Sequence, residues 1–359
     1  MTNPELDPHF LGVLDWIDRT KPHQLAVVMD QNTERHCLPL ILPLLPPHAD
    51  FLCLSQNGES IKSIENAHAL WSSLDEAGFD RKGALIGLGG GTVTDLTGFV
   101  ASTYLRGIEF WLIPTTLLAM VDAASGGKTG INFKGAKNRI GTFSKPSGVS
   151  LCPTFLATLP TRHLKSGLAE HVKHLLIQLS PEQVSLRLSQ LPTDFQEAES
   201  EVFSSLILES IRIKEHIVNQ DPKELTGFRK VLNFGHTFGH ALESWAMVQG
   251  LDVLHGEAVA WGLESELSLS AARLSKNSQE ASNLLAIKDQ LSQIFPCPVT
   301  PPEPRELWKW ALKDKKNTGD AVLMVLLSET GATLVDQVVT EQEFALACAA
   351  NTPSSSKPS

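Results

Sequence analysis

The chain has no CxxC pair, no long basic block, no internal repeat and no unbroken apolar run long enough to cross a bilayer. Each absence removes a class of function. The five cysteines (Cys37, Cys53, Cys152, Cys297 and Cys348) are far apart in sequence. They read as reduced, mostly buried thiols of a cytoplasmic protein. A formal net charge of -10 argues against a nucleic-acid partner but leaves room for a local basic pocket. Apolar runs are interrupted by proline, glycine or charge, so no membrane span is expected. The opening MTNPELDPHF lacks a basic segment followed by an apolar core, so no secretory signal is expected. What is present is enough chain, 359 residues, for two domains with cores of their own.

The first part alternates strands and helices. Short apolar or β-branched runs at 24–30, 51–54, 84–88 and 108–113 read as strands. Helical spacing links Ile61, Ile64, Leu70, Trp71 and Leu74, with Gly78 as a stop, and a second stripe begins at Val93, Leu96, Phe99 and Val100. Such alternation predicts an α/β, Rossmann-like domain with a parallel sheet over residues 1–160. From Thr161 the pattern is helical almost throughout, predicting a mainly α-helical domain over 161–345 with a hairpin about Thr330 and Gly331. The small, polar stretch 346–359 reads as a disordered tail.

Two patterns suggest anion binding. Strand 84–88 runs into Gly89, Gly90 and Gly91 at a helix start, where backbone N–H groups and the helix dipole can cradle a phosphate. The third glycine of the dinucleotide fingerprint is missing, and Asp95 lies too close to the turn to be its ribose carboxylate. Further on, Pro114, Thr115 and Thr116 end a strand at the edge where open α/β sheets bind ligands. Asp122, Gly126, Gly127, Lys128, Lys137 and Asn138 follow, and read as a polar, anion-accepting loop.

The helical part centres on Asn233–Glu243. Phe234, Phe238, Ala241, Leu242 and Trp245 recur at helical spacing, while His236 and His240, four apart, leave the helix on another side. Two such imidazoles can share a metal ion, or one can ligate while the other meets a substrate. Glu170 and Lys173 share a helix face, and His255 opens another helix. Glu170, His236 and His255 make a carboxylate and two imidazoles, the donor set of a catalytic zinc with an open position. Around them lie Arg106, Lys128, Lys137, Lys173, Lys214, Arg229, Lys315 and Lys316, cations suited to a small anionic substrate.

GGGTVTD at 89–95, IPTTLLAMVDAASGGKTGIN at 113–132, KNRIGTF at 137–143, FLATLP at 155–160, SGLAEHVK at 166–173, LNFGHTFGHALE at 232–243, LHGEAVAWG at 254–262 and DKKN at 314–317 together resemble the 3-dehydroquinate synthases, within the sugar-phosphate cyclases. The likeness runs from about residue 24 to 340. It implies a Zn²⁺ (or Co²⁺) held by Glu170, His236 and His255. It implies NAD⁺ bound by Asp30, Asn32, Glu59, Lys62, Gly90, Gly91, Asp95, Thr115, Thr116, Asp122, Lys137 and Thr158. Lys128 and Arg229 would meet the substrate carboxylate. Lys214, His240, Lys315, Lys316 and Arg106 acting from a second subunit would meet its phosphate. Asp122, Asn138, Lys173 and Asn233 would contact its hydroxyls. A homodimer, an active site in the interdomain cleft and a sugar-phosphate substrate follow from the same likeness.

The chain departs from the family pattern at Thr94, where glycine is usual, at Met120, at Ala124 and Ser125, and in a longer loop over 221–229 carrying Glu224. Rival readings are a cyclase of the epi-valiolone synthase type, a polyol dehydrogenase of the glycerol dehydrogenase type, and a non-catalytic binder on the same fold.

Overall fold

The computed structural model describes residues 4–134, 136–192, 200–313 and 321–351. The chain divides into two compact units: Met1–Leu164 with Asp194–Glu215, and Lys165–Thr193 with His216–Ser359.

The first unit contains β1 (Glu5–Leu6), α1 (Leu11–Thr20), β2 (Leu25–Asp30), α2 (Gln31–His36), α3 (Leu38–Ile41), β3 (Asp50–Leu54), α4 (Ile64–Glu76), β4 (Ala84–Gly89), α5 (Gly91–Thr103), β5 (Glu109–Pro114), β6 (Lys128–Phe133), β7 (Ala136–Phe143) and β8 (Gly148–Leu151). Six strands form one parallel sheet in the order β1-β8-β5-β4-β2-β3. Every residue of β2 and β4 is buried, which explains why these strands read as continuous apolar runs instead of alternating ones. The chain steps from β2 outward to β3, then returns to the other side of β2 for β4. The winding therefore reverses at the carboxyl ends of β2 and β4, the place where open α/β sheets bind ligands. Asp30 and Gly89–Gly91 stand there.

The expected loop about Lys128 and Lys137 is instead an antiparallel hairpin. Lys128 opens β6, and Lys137 and Asn138 lie on β7. The hairpin packs on α5 at Gly98, where a Cβ would come within 2.6 Å of Thr129 Cγ2.

The second unit takes α6 (Thr161–Gln178) from Lys165 onward, α7 (Pro181–Ser189), the end of α8 (Ser200–Gln220), α9 (His236–Val248), α10 (His255–Arg273), α11 (Gln279–Ile294), α12 (Pro304–Ala311), the hairpin β9 (Val322–Glu329) and β10 (Ala332–Val339), and α13 (Glu341–Ala349). Most of α8 groups with the first unit, and α13 continues past residue 346 into the stretch expected as tail. Phe238, Ala241 and Leu242 of α9 are buried with Trp261 of α10, Met324 of β9 and Phe344 of α13. Phe238 stacks on Phe344 with ring centroids 4.1 Å apart. This core takes up the apolar face of α9 and leaves its histidines on the other side.

Backbone proximity, more than side-chain bulk, brings α6, α9 and α10 together. A Cβ on Gly256 of α10 would lie 1.9 Å from the Ser166 carbonyl oxygen of α6, and one on Gly262 would lie 1.9 Å from the Gly235 carbonyl oxygen before α9. Alanine is ordinarily favoured over glycine inside a helix by about 1 kcal/mol. Gly262→Ala should nevertheless destabilise the chain, by at least about 2 kcal/mol, because the methyl group meets backbone that cannot swing away. A urea titration checks the sign; a gain in stability would show that the helices are not held at this distance.

Candidate active site

In the first unit, α5 starts at the end of β4. Its N-cap is Gly90, in extended conformation, and Thr94 N–H closes the first turn on the Gly90 carbonyl. A side chain on Gly90 or Gly91 would crowd Thr116 or Ala123, at 3.1 and 3.0 Å. The glycines therefore leave the first N–H groups of a buried helix open to an anion. Beside them, the Lys62 ammonium, 5% exposed, donates to Asp95 Oδ2 at 2.5 Å and to Asn138 Oδ1. Burial pushes the Asp95 carboxyl up, against the pull of Lys62. Glu59 accepts from Asn132 Nδ2 at 2.8 Å and faces Lys137 Nζ at 3.5 Å. These contacts tie the β6–β7 hairpin to α5 and to the turn before α4, so Glu59, Lys62, Asp95, Lys137 and Asn138 form one polar patch.

Thr115 N–H donates to the Gly89 carbonyl at 3.0 Å, which holds the end of β5 against the glycine turn. Asp122 sits on a single π-helical turn, Ala119–Ala123, a geometry frequent at functional sites. Lys214, buried on α8, donates to the Asp122 carbonyl oxygen at 2.6 Å and to its Oδ1 at 2.8 Å. Asp30 is buried and occupied: its Oδ1 caps α2 by accepting from Thr33 N–H at 2.9 Å. Asn32, Arg106, Lys128 and Thr158 are exposed.

In the second unit, three helices deliver one cluster. Glu170 of α6 has no exposure to solvent. Its Oε1 lies 3.4 Å from His236 Nε2 and 3.3 Å from His255 Nε2. Its Oε2 meets Lys173 Nζ, one turn on. His240 completes the group, its ring centroid 5.2 Å from that of His236 and 5.9 Å from that of His255. Two donors about 2.1 Å from a tetrahedral ion stand about 3.4 Å apart, so each imidazole stands from Glu170 Oε1 at the spacing of two zinc ligands, and the three residues' donor atoms all lie within 4.8 Å of one another.

Each imidazole is also turned the right way. His236 Nδ1 faces the Phe234 carbonyl at 3.1 Å. A carbonyl only accepts, so the proton is on Nδ1 and Nε2 presents a lone pair to the cluster. His255 Nδ1 faces Glu243 Oε2 at 3.4 Å, the carboxylate-behind-imidazole arrangement that orients histidines at metal sites. Burial drives the His236 ring well below its usual range. Burial pulls His255 the same way, but Glu243 and Glu170 outweigh it and raise the ring to about 10. Glu243 was overlooked at the level of sequence, although its place three residues after His240 was a usable signal.

Arg229 and Asn233 lie in a 3₁₀ turn, Phe228–Asn233, just ahead of α9. Arg229 is buried and donates from a terminal nitrogen to the Pro222 carbonyl at 2.9 Å, with Glu224 Oε1 3.7 Å from its Nε. Lys315 and Lys316 lie outside the described residues.

A doubly wound sheet bearing a glycine cradle and a helical unit bearing a His-His-Glu cluster define a class, an α/β-plus-helical fold also seen in sugar-phosphate cyclases and in an NADH-dependent butanol dehydrogenase. Residues 52–166 match the family model described as 3-dehydroquinate synthase N-terminal, and residues 167–317 match its C-terminal counterpart. The chain is 37% identical over 331 residues to the 3-dehydroquinate synthase of Parabacteroides distasonis, covering 92% of each chain. It is 38% identical over 326 residues to that of Pyrococcus abyssi, covering 90% of this chain and 92% of that one. The chain belongs to the 3-dehydroquinate synthase family.

Among solved structures it matches the 2-epi-5-epi-valiolone synthase ValA of Streptomyces hygroscopicus subsp. jinggangensis 5008, with NAD⁺ and Zn²⁺ bound, at TM-score 0.79 and 26% identity, covering 97% of this chain and 96% of that one. A 2-deoxy-scyllo-inosose synthase matches equally well, at TM-score 0.79 and 23% identity over 96% of this chain and 95% of that one, a likeness of fold alone.

The loop that presents Arg229 hangs on Asp221. Its Oδ1 accepts from Leu225 N–H at 2.8 Å and Thr226 N–H at 3.2 Å, and its Oδ2 from Arg229 N–H at 3.2 Å. Burial raises this carboxyl, but the backbone donors of Thr226, Arg229 and Leu225 outweigh it and bring it down to about 2. A depressed folded-state value contributes stability above the unfolded value of about 3.9, and the contribution is lost as pH falls through about 2. Asp221→Asn should therefore melt below wild type at neutral pH, with the gap closing only as pH drops under about 4. Thermal melts of both chains from neutral pH to pH 3 check it; a gap constant over that range would mean the ionised form is not what holds the loop.

Proposed function

We propose that this chain is a 3-dehydroquinate synthase: it converts 3-deoxy-D-arabino-heptulosonate 7-phosphate to 3-dehydroquinate and inorganic phosphate, with NAD⁺ and a divalent metal used catalytically. The observation that carries this reading is the Glu170–His236–His255 cluster, standing in a chain that matches the family over nine-tenths of its length. No helix among the described residues is long and apolar enough to cross a membrane. A small sugar phosphate suits the buried cations.

When bound, NAD⁺ supplies a reversible hydride acceptor and the metal a Lewis acid at the substrate's vicinal hydroxyls. The chain's own residues bind, orient and shield. Glu170, His236 and His255 would hold the metal, with Lys173 on the far oxygen of Glu170 keeping that carboxylate from turning. Gly90 and Gly91 at the start of α5 would receive the dinucleotide pyrophosphate. Asp30, Asn32, Glu59, Lys62, Asp95, Thr115, Thr116, Asp122, Lys137 and Thr158 would line the rest of that site. Lys128 and Arg229 would take the substrate carboxylate, and Asp122, Asn138, Lys173 and Asn233 its hydroxyls. Lys214, His240 and the Lys315–Lys316 pair would take the phosphate. Asp122 keeps the buried Lys214 ammonium neutralised, so phosphate binding there is an exchange of one anion for another and spares the cost of an unpaired buried charge. No carboxylate base beyond these is needed if the departing phosphate removes the proton itself.

We also propose a homodimer. The family likeness implies that Arg106 acts across a subunit interface, and its side chain lies exposed on a left-handed turn, φ 68°. A chain that sediments as a monomer under assay conditions and keeps full activity would contradict this.

The decisive assay follows phosphate release and NADH absorbance together, on heptulosonate 7-phosphate with NAD⁺ and Zn²⁺. Phosphate should be released with no net NADH, and chelation should stop it. His236→Ala should lower kcat by about 10³-fold or more, since the metal contributes several kcal/mol of charge stabilisation. Net NADH without phosphate would point to a dehydrogenase. Turnover of sedoheptulose 7-phosphate alone would point to a valiolone-type cyclase.

A further inference from the structure

Helix α9 has no cap of its own. Its N-cap residue is Gly235, at φ 80°, and no side chain there accepts a hydrogen bond. The first N–H groups of a helix need acceptors, and its N-terminus carries partial positive charge. The acceptor comes instead from Glu266 of α10, wholly buried and 31 residues further along the chain. Its Oε2 accepts from Gly235 N–H at 2.5 Å, and its Oε1 accepts from Thr237 N–H at 3.3 Å. The residue between those two amides is His236.

We propose that Glu266 is a positioning residue for the metal centre. Its two oxygens hold the backbone on either side of His236 and so fix where that imidazole stands relative to Glu170 and His255. The inference rests on reading those three residues as metal ligands. Helix α10 then serves the cluster twice. It supplies His255 at its first turn, and three turns on it sets the second imidazole through the main chain of α9. The close passage of Gly262 under the Gly235 carbonyl keeps the two helices within reach of this bond. A carboxylate is required because both oxygens accept. Glutamine would offer one acceptor and turn an N–H₂ group toward a backbone N–H, leaving two donors facing each other in a buried space.

The test is the zinc affinity of metal-free protein, measured by competition with a chromophoric chelator, for wild type, E266Q, E266D, H236A and E264Q. Glu264 is a control for replacing a buried carboxyl group on the same helix. It accepts from Ser292 Oγ at 2.6 Å, and its loss should leave zinc affinity unchanged. E266Q should bind zinc about 10- to 100-fold more weakly, the usual effect of losing a group that orients a ligand. Its NAD⁺ affinity should be unchanged, which also reports that the chain has folded. At saturating zinc its kcat should fall while KM for the heptulosonate phosphate stays near wild type. E266D keeps two acceptors on a shorter arm and should fall between. Zinc affinity unchanged in folded E266Q, with H236A still abolishing binding, would overturn the inference alone. If E266Q does not fold, E266D decides, and unchanged affinity there overturns it too. Zinc affinity indifferent to H236A would overturn the ligand reading and this inference with it.

Discussion

A carboxylate taken wholly out of water costs several kcal/mol unless its charge is met. Glu170 is such a group, and the helical unit is arranged around meeting it. One oxygen faces His236 and His255, and the other faces Lys173. None of these partners comes from chance proximity. Lys173 is one turn along the same helix, His236 stands at the start of α9, and His255 stands at the start of α10. The carboxylate therefore requires three helices to meet at two of their ends, and the fold supplies that meeting.

Glycine makes the meeting possible. Gly256 lets α10 touch α6 at Ser166, and Gly235 and Gly262 let α9 and α10 approach backbone to backbone. Helices this close could not carry bulky side chains at the contact, so the hydrophobic core is displaced to the far side of α9, around Phe238, Trp261 and Phe344. One face of α9 joins the core and the other carries His236 and His240, and the 3.6-residue period separates them. The first unit follows a similar division: fully buried β2 and β4 hold the sheet, while the turns at their carboxyl ends present Asp30 and the glycine cradle.

Much of this was legible in the sequence. The buried strands show as apolar runs, the face of α9 shows as helical spacing, and the β9–β10 hairpin shows through Thr330 and Gly331. The cluster around Glu170 shows as the i,i+4 pair of His236 and His240, with Glu170 and His255 as the residues expected to join His236. What escaped did so for physical reasons. The β6–β7 hairpin reads as a loop because its pairs include Gly130 with Gly141, and because its lysines and threonines lack the apolar alternation of a strand. Strands β1 and β8 are two and four residues long, too short for a period to register. Glu243, Asp221 and Glu266 act through other residues, and Glu266 reaches an amide 31 positions away, which no local pattern reports.

The most direct test of the central claim is a cobalt titration of metal-free protein, followed by visible absorption. One equivalent of Co²⁺ per chain should give ligand-field bands of a low-coordinate imidazole–carboxylate site. Single substitution of Glu170, His236 or His255 by alanine should each remove or shift those bands without altering NAD⁺ binding. Bands that survive all three substitutions unchanged would mean that the cluster around Glu170 is not where the metal sits.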